Sequence, residues 1–355
     1  MGEIRLMKGN EAIAEAAIRA GADAYFGYPI TPQSEILEYL MSEKPHERTG
    51  MVVLQAESEI GAINMVFGAA STGKKAITSS SSPGITLKME GISYLAGAEL
   101  PCVVVNVARG GPGLGTIQPS QADYFQATKG GGHGDYHMIV LTPNSVQEMS
   151  DFVKLAFDLA FKYRNPVMIL TDGVIGQMME KVELFDPVPR TNFFDQTWVA
   201  TGKTPDRQKN VVTSLNLDPY VHEKYCQKIQ AKYREIELKE VRCEKIQCND
   251  AEYIFVAYGI GSRICEKAVR MAREKGYKVG LLRPQTVYPF PYKEINKLAD
   301  QLKSIITVEM SSGQMIEDVK LAVNGKLEVD FYGRMGGVIA TPEEIYDYFI
   351  SKYGK

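Results

Sequence analysis

Gln55-Ala-Glu-Ser-Glu-Ile-Gly-Ala-Ile-Asn-Met-Val-Phe-Gly-Ala-Ala70 follows directly on the apolar run Met51-Val-Val-Leu54. The junction reads as a strand that runs out and a helix that begins, the repeating step of an α/β sheet. Glu57 and Glu59 are expected in the first helical turn, where the macrodipole favours negative charge. Gly61, Ala62, Gly68, Ala69 and Ala70 leave the helix without bulk, so another group can come close to its backbone. Two readings stay open on these residues alone. One is a well-capped buried helix; the other makes Glu59 a working carboxyl at the mouth of the sheet.

Working outward, the same alternation recurs on both sides. A helix from Glu11 to Ala20 and a strand from Ala22 to Phe26 precede Gly27-Tyr-Pro-Ile-Thr-Pro32, which leads into a helix through about Met41. Lys75–Ser79 and Cys102–Val107 read as strands, with Ser80-Ser-Ser-Pro-Gly84 turning into a helix that reaches Ala98. Arg109 opens a glycine-rich loop to Gln118, and Gly130-Gly-Gly-His-Gly-Asp-Tyr-His137 is a second glycine cluster before a strand at 138–141. A helix over 145–162 and the strand Pro166–Leu170 complete a first domain, residues 1–182. Residues 183–250 read as a linker, polar and irregular over 190–217, with a charged helix from Pro219 to Glu240 that is predicted to carry Val221, Tyr225, Ile229 and Ile236 on one face and to pack on a domain or partner. From 251 to 355 the alternation resumes as a second, smaller α/β domain, with strands at Tyr253–Ala257, Lys278–Leu282 and Ser304–Val308.

Composition narrows the function classes. The 355 residues are 45% hydrophobic and 23% charged, with a net charge of -3 that offers no footprint for nucleic acid or an anionic membrane. No apolar run nears membrane-spanning length, and the N-terminus lacks the apolar core of a signal peptide. Cysteines at 102, 226, 243, 248 and 265 form no C-x-x-C pair. Reduced thiols, a cytoplasmic location and no zinc or iron–sulfur cluster on this chain are the expectations.

Gly259-Ile-Gly261 begins a dinucleotide fingerprint, but Ile264 stands where the third glycine belongs and the next strand ends at Arg283 rather than an acid. A tight strand-to-helix turn is the better reading, and no P-loop sequence is present. Thr31 is expected as a helix N-cap with Pro32 at the first helical position, a place from which it can also donate to an anion. Arg109 is either a solvated surface charge or a bidentate partner for a carboxylate or phosphate. His133 and His137 are four apart, yet in a glycine loop rather than on a helix face, so metal spacing does not apply. Thr31, Glu59, Ser79–Gly84 and Arg109 share one property: each lies at or just after the end of an inferred strand, on the carboxyl edge where open α/β sheets bind ligands.

Gly9-Asn-Glu-Ala-Ile-Ala-Glu15, Gly27-Tyr-Pro-Ile-Thr-Pro32, Glu57-Ser-Glu-Ile-Gly-Ala62, Thr78-Ser-Ser-Ser-Ser-Pro-Gly84 and Gly131-Gly-His-Gly-Asp-Tyr136 occur in order along the chain. Together they resemble the alpha subunit of 2-oxoacid:ferredoxin oxidoreductases, nearest the branched-chain 2-ketoisovalerate type, with the 2-oxoglutarate type next. The resemblance implies a thiamine diphosphate pyrimidine-binding domain followed by a transketolase C-terminal-like α/β domain. It implies that Glu59, with small residues three and nine positions on at Ala62 and Gly68, is the catalytic carboxyl that contacts the cofactor's pyrimidine. Glu57 does not fit, since the same offsets give Ile60 and Val66. A carboxyl bonded to that ring promotes the tautomer whose imine takes the proton from the thiazolium carbon, and it is expected in a poorly solvated pocket. By the same resemblance Pro29 lies against the cofactor, Thr31 contacts substrate, and Arg109 holds the substrate carboxylate.

The diphosphate half of such a site carries G-D-G, which this chain lacks; Gly134-Asp-Tyr136 is not one. The resemblance therefore implies a beta subunit supplying the diphosphate and Mg2+ ligands and an iron–sulfur cluster, with gamma and delta-type subunits, ferredoxin and CoA as further partners. The reaction it implies is oxidative decarboxylation of a 2-oxoacid to its acyl-CoA. Two rivals are a self-contained thiamine enzyme, disfavoured by the missing G-D-G, and a non-catalytic assembly subunit.

Overall fold

A computed structural model describes residues 3–191, 193, 196–203 and 205–354. In chain order the strands are β1 (Glu3–Lys8), β2 (Ala24–Gly27), β3 (Val52–Gln55), β4 (Ala76–Ser80), β5 (Cys102–Ala108), β6 (Ile139–Leu141), β7 (Pro166–Asp172) and β8 (Met179–Leu184). They continue as β9 (Cys243–Ile246), β10 (Tyr253–Val256), β11 (Val279–Pro284), β12 (Thr286–Tyr288), β13 (Ser304–Glu309) and β14 (Val329–Gly333).

A seven-stranded sheet runs β12-β6-β7-β5-β4-β2-β3, parallel throughout except for β12 against β6. Its middle strands are covered by helices on both faces, and β4, β5 and β7 are buried along their whole length, β5 and β7 as the near-continuous apolar runs expected of parallel sheets. The chain leaves β2 for β3 on one side and returns to β4 on the other. β2 is thus the point where the winding reverses, and the crevice beyond its carboxyl end is where such sheets take ligands. A second sheet, β14-β13-β10-β11-β9, is parallel apart from β9, and β1 pairs antiparallel with β8.

The two sheets are tied together. β12 comes from the far part of the sequence yet extends the first sheet, while β9, from the stretch read as linker, edges the second. Arg283, 2% exposed, forks onto Glu148 at 2.8 and 2.7 Å and reaches Glu244 at 2.9 Å. Gln121 donates to the Tyr258 carbonyl at 2.8 Å and accepts from the Met310 amide at 2.9 Å. Asp172 caps the helix Gly173–Gln177 through the Val174 and Ile175 amides and also takes the Ile260 amide. Burial raises its carboxyl to about 6 against those three amides. The amide end of the helix Gly259–Glu274 is therefore occupied by a side chain of the protein, and Gly259, at φ 51°, serves the turn expected of it.

The charged helix spans Pro219–Lys239 and buries Ile229, Tyr233 and Ile236. Val221 does not join them: it is 53% exposed, because the first turn overhangs the domain and packing starts at Tyr225, whose hydroxyl reaches the Gly97 carbonyl at 2.6 Å. Tyr233 takes the place on the buried face that the sequence reading gave to Val221. All five cysteines are free, and no helix among the described residues is long and apolar enough to cross a membrane.

Candidate functional site

The four features placed on the sheet's carboxyl edge follow four adjacent strands, β3, β2, β4 and β5, around the reversal at β2. Glu59 is the first residue of the helix Glu59–Ser71, capped by Ser58, whose hydroxyl accepts from the Gly61 amide at 3.1 Å. Glu57 therefore stands outside the helix rather than in its first turn, and is exposed. Glu59 is 7% exposed and lies against the start of the helix Ser82–Gly97. A Cβ at Gly84 would sit 2.7 Å from Glu59 Oε1 and 2.1 Å from Ser80 Oγ, so glycine there is a condition of the contact. The hydroxyls of Ser80 and Ser81 are buried without a hydrogen-bond partner.

The turn after β2 differs from its expected form. The following helix begins at Ser34 with Gln33 at the cap position, so Thr31 is not the N-cap. Gln33 is fully buried; its amide accepts the turn's shape by donating to the Ile30 carbonyl at 3.0 Å, and its side chain donates to the Tyr28 carbonyl at 3.0 Å. Asn10 donates to the Pro32 carbonyl at 2.8 Å. These bonds use up the turn's base and leave Pro29 and Thr31 exposed at its tip.

Arg109 is 9% exposed and donates from Nη1 to the Thr31 carbonyl at 3.0 Å and from Nη2 to the Leu114 carbonyl at 3.2 Å, while its Nε is buried without a partner. Its backbone amide donates to Ser82 Oγ at 2.9 Å, and Ser82 opens the helix whose Gly84 meets Glu59. Thr31, Arg109 and Glu59 are thereby joined through one helix start. Pro29 is on the same turn as Thr31.

Two charged residues, one half-buried and one fully buried, went unread in the sequence. Asp123 accepts from Ser82 at 2.7 Å and Asn106 at 2.8 Å, and burial pushes its carboxyl up against those two bonds. Lys88 is fully buried one turn beyond Gly84, its ammonium donating to the Thr78 hydroxyl and to the Ser79 carbonyl at 3.1 Å. Burial pushes Lys88 down to about 7, opposed by the charge of Glu59. The spacing Ile85, Lys88, Ile92 was the available signal, since offsets of three and four put the lysine on the apolar stripe.

The second glycine cluster lies elsewhere on that helix. A Cβ at Gly131 would strike Met89, and Ser93 donates to the His133 carbonyl at 2.8 Å. His137 stacks on Tyr288 at 4.3 Å and meets Tyr233 edge-on at 5.4 Å, a packing role between the linker helix and β12. Among the described residues no three His, Cys, Asp or Glu are grouped to hold a metal ion.

Residues 15–244 match the family described as "Pyruvate flavodoxin/ferredoxin oxidoreductase, thiamine diP-bdg", and residues 251–345 match "Pyruvate:ferredoxin oxidoreductase core domain II". The ketoisovalerate oxidoreductase subunit VorB of Methanothermobacter marburgensis is 52% identical over 341 residues, covering 96% of each chain. The 2-oxoglutarate synthase subunit KorA of Methanocaldococcus jannaschii is 38% identical over 365 residues, covering 97% of this chain and 98% of its own. Among solved structures, the 2-oxoglutarate:ferredoxin oxidoreductase from Magnetococcus marinus, with 2-oxoglutarate, coenzyme A and succinyl-CoA bound, superposes with a TM-score of 0.87 at 27% identity. That match covers 99% of this chain, which spans 65% of the solved one. A split-gene transketolase, inactive beta4 tetramer, matches at a TM-score of 0.60 and 14% identity over 98% of each chain, a likeness of fold alone.

Proposed function

The chain belongs to the 2-oxoacid:ferredoxin oxidoreductase family as an alpha-type subunit, and from that membership we propose that it carries the pyrimidine half of an interfacial thiamine diphosphate site. The complex would convert a 2-oxoacid and CoA to acyl-CoA and CO2 and reduce ferredoxin, with 3-methyl-2-oxobutanoate as the favoured substrate. The observation that carries the reading is the Glu59 carboxyl, buried against Gly84 together with the unpartnered Ser80 hydroxyl. These residues fit the cofactor's ring: a buried carboxyl to bond a ring nitrogen, set in place by the glycine at 84, and a hydroxyl still seeking a partner. When bound, thiamine diphosphate supplies the nucleophilic carbon and the electron sink for decarboxylation.

This chain's residues do the rest. Glu59 holds and returns a proton at its carboxyl, in a place where poor solvation strengthens each bond it makes. Arg109 presents its guanidinium beside the Thr31 turn, suited to orient a substrate carboxylate. Pro29 and Thr31 form the wall of the crevice. Arg109→Lys and Thr31→Val are each expected to raise KM, by roughly tenfold or more for the arginine because lysine cannot reproduce the planar fork. Steady-state kinetics on the assembled complex reads this, and unchanged KM in both variants would remove their assignment to substrate.

The diphosphate, Mg2+ and iron–sulfur clusters are assigned to partner chains: a beta subunit, with gamma and delta-type subunits completing the complex. Support comes from the surface beside the site. Ile60 and Leu87 are each 50% exposed and Tyr94 40%, on the two helices that bracket Glu59. A Cβ at Gly68 would meet nothing in this chain, so its smallness is not demanded from within. An apolar patch flanking half a site suits a partner that brings the other half. Leu87→Lys is therefore expected to weaken assembly about tenfold or more, seen as loss of co-elution with the partner on size exclusion. Co-elution at parental strength would move the interface elsewhere. Five free cysteines favour the reducing cytoplasm as its location.

The deciding experiment is turnover of the purified complex on a panel of 2-oxoacids with CoA and a low-potential acceptor. Preference for branched 2-oxoacids supports the substrate named here. Preference for 2-oxoglutarate reassigns the substrate and keeps the chemistry. A thiamine-free complex with no turnover would make the chain an assembly subunit.

A further inference from the structure

We infer that Gln314 is a positioning residue for substrate binding, through which the second half of the chain sets the place of Arg109. The inference rests on the reading of Arg109 given above. Arg109 follows β5 directly and is itself followed by Gly110-Gly-Pro-Gly-Leu-Gly115, a run too rich in glycine to fix a neighbouring side chain. Leu114, in that loop, is 85% exposed. Stiffness has to come from the return leg. There the Gly110 amide donates to the Gln118 carbonyl at 2.9 Å, and Arg109 pairs with Pro119 in an isolated antiparallel bridge. Beyond Pro119 the leg is bonded to the second half of the chain: the Gln121 amide and the Ser120 hydroxyl donate to the Met310 carbonyl at 2.9 and 3.3 Å.

Gln314 makes the next clasp. Its side-chain nitrogen donates to the Ala122 carbonyl at 2.7 Å, and its side-chain oxygen accepts from the Phe125 amide at 2.7 Å. The two contacts bracket Asp123, and a primary amide offers the donor and acceptor side by side that a carbonyl and an N–H require. Asp123 accepts from the Ser82 hydroxyl at 2.7 Å, and Ser82 Oγ accepts from the Arg109 amide at 2.9 Å. An unbroken series of bonds thus leads from Gln314 through Asp123 and Ser82 to the backbone of Arg109.

Gln314 is itself held. Glu309, at the end of β13 and with no exposed surface, accepts from the Gln314 and Met315 amides at 3.1 and 2.9 Å through one oxygen. Its other oxygen takes the Ile316 amide at 2.9 Å, so the start of the helix Met315–Val323 is fixed to the strand. Tyr124, next to Asp123, donates to Asp318 of the same helix at 2.6 Å. Plain adhesion between the two halves is supplied elsewhere, by Arg283 on Glu148, without touching this series. That pair gives the comparison needed to tell positioning from adhesion.

The test uses the assembled complex. Gln314→Ala is expected to raise KM for the 2-oxoacid by roughly three- to tenfold, with kcat and the KM for CoA within about twofold of the parent. Arg283→Ala, assayed below its melting range, should leave the 2-oxoacid KM at the parental value. The specific readout is a double-mutant cycle. The KM increases of Gln314→Ala and Arg109→Lys should fail to multiply in the double variant, because lysine has no planar fork left to orient. Gln314→Glu keeps the volume and the acceptor for Phe125 but turns an oxygen on the Ala122 carbonyl. A smaller rise in the same direction is expected of it, and it carries the test should Gln314→Ala fail to assemble. A parental KM in the assembled Gln314 variants, increases that multiply, or an equal rise in Arg283→Ala would overturn the role of Gln314. An unchanged KM in Arg109→Lys would instead overturn the reading of Arg109, and the inference with it.

Discussion

Glu59→Gln is expected to reduce turnover on 2-oxoacids by roughly 10^2- to 10^4-fold, the range in which a positioned acid–base group contributes, while the complex still assembles. Glutamine keeps the length and the hydrogen-bonding outline of the side chain, so the contact with Gly84 and the capped helix start behind it survive. What it cannot do is hold and give up a proton. The matched control is Glu57→Gln, two residues earlier but outside the Ser58 cap and exposed, where near-parental activity is expected. Single-turnover decarboxylation, measured apart from electron transfer, separates a lost chemical step from slow product release. Activity within a few fold of the parent in Glu59→Gln would remove the residue from the chemistry.

The second large effect is on stability. Arg283→Ala is expected to cost about 3 kcal/mol or more, read as a lower denaturant midpoint. Arg283 is 2% exposed, and its fork holds Glu148 on the helix Val146–Tyr163 of the first domain and Glu244 on β9 of the second sheet. Truncating it leaves a partly buried carboxylate without its cation. Pairing the change with Glu148→Gln, as Arg283→Met with Glu148→Gln, should recover much of the loss, because the stranded charge is then gone. An unchanged midpoint in Arg283→Ala would show that the two sheets are not held together at this point.

Much of this arrangement was legible beforehand, for a reason that can be stated. Parallel sheets alternate strand and helix in sequence, so the end of every strand can be placed without knowing its neighbours, and Thr31, Glu59, Ser80 and Arg109 fell on one edge. Which strands lie side by side is a long-range matter. Nothing in Ala24–Gly27 announces that β2 has β3 on one flank and β4 on the other. The three residues of β12 sit between Pro284 and Pro289 in a stretch that reads as a turn-rich connection. Thr31 was misread as a cap because Thr-Pro is a strong helix-start pattern, while the competing bonds of Gln33 and Asn10 come from side chains whose targets only the fold supplies. Val221 was assigned a buried face by periodicity, which cannot tell how far a helix overhangs its support. Lys88 was passed over because charge usually outweighs position in such a reading, although its spacing from Ile85 and Ile92 was on the page.

The strand lent by the second half of the chain has a consequence for synthesis. β6 is buried along its length and has β12 as its outer neighbour. Until residue 288 leaves the ribosome, the half that carries Glu59 has every other strand of its sheet but an open apolar edge at Ile139–Leu141. At ~5–20 residues per second, the stretch from 185 to 288 takes roughly 5–20 s to emerge. During that interval the nascent chain offers an unpaired strand to any neighbour, an exposure that chaperones or rapid partner capture would cover. A fragment ending near residue 182 would remain in that state permanently.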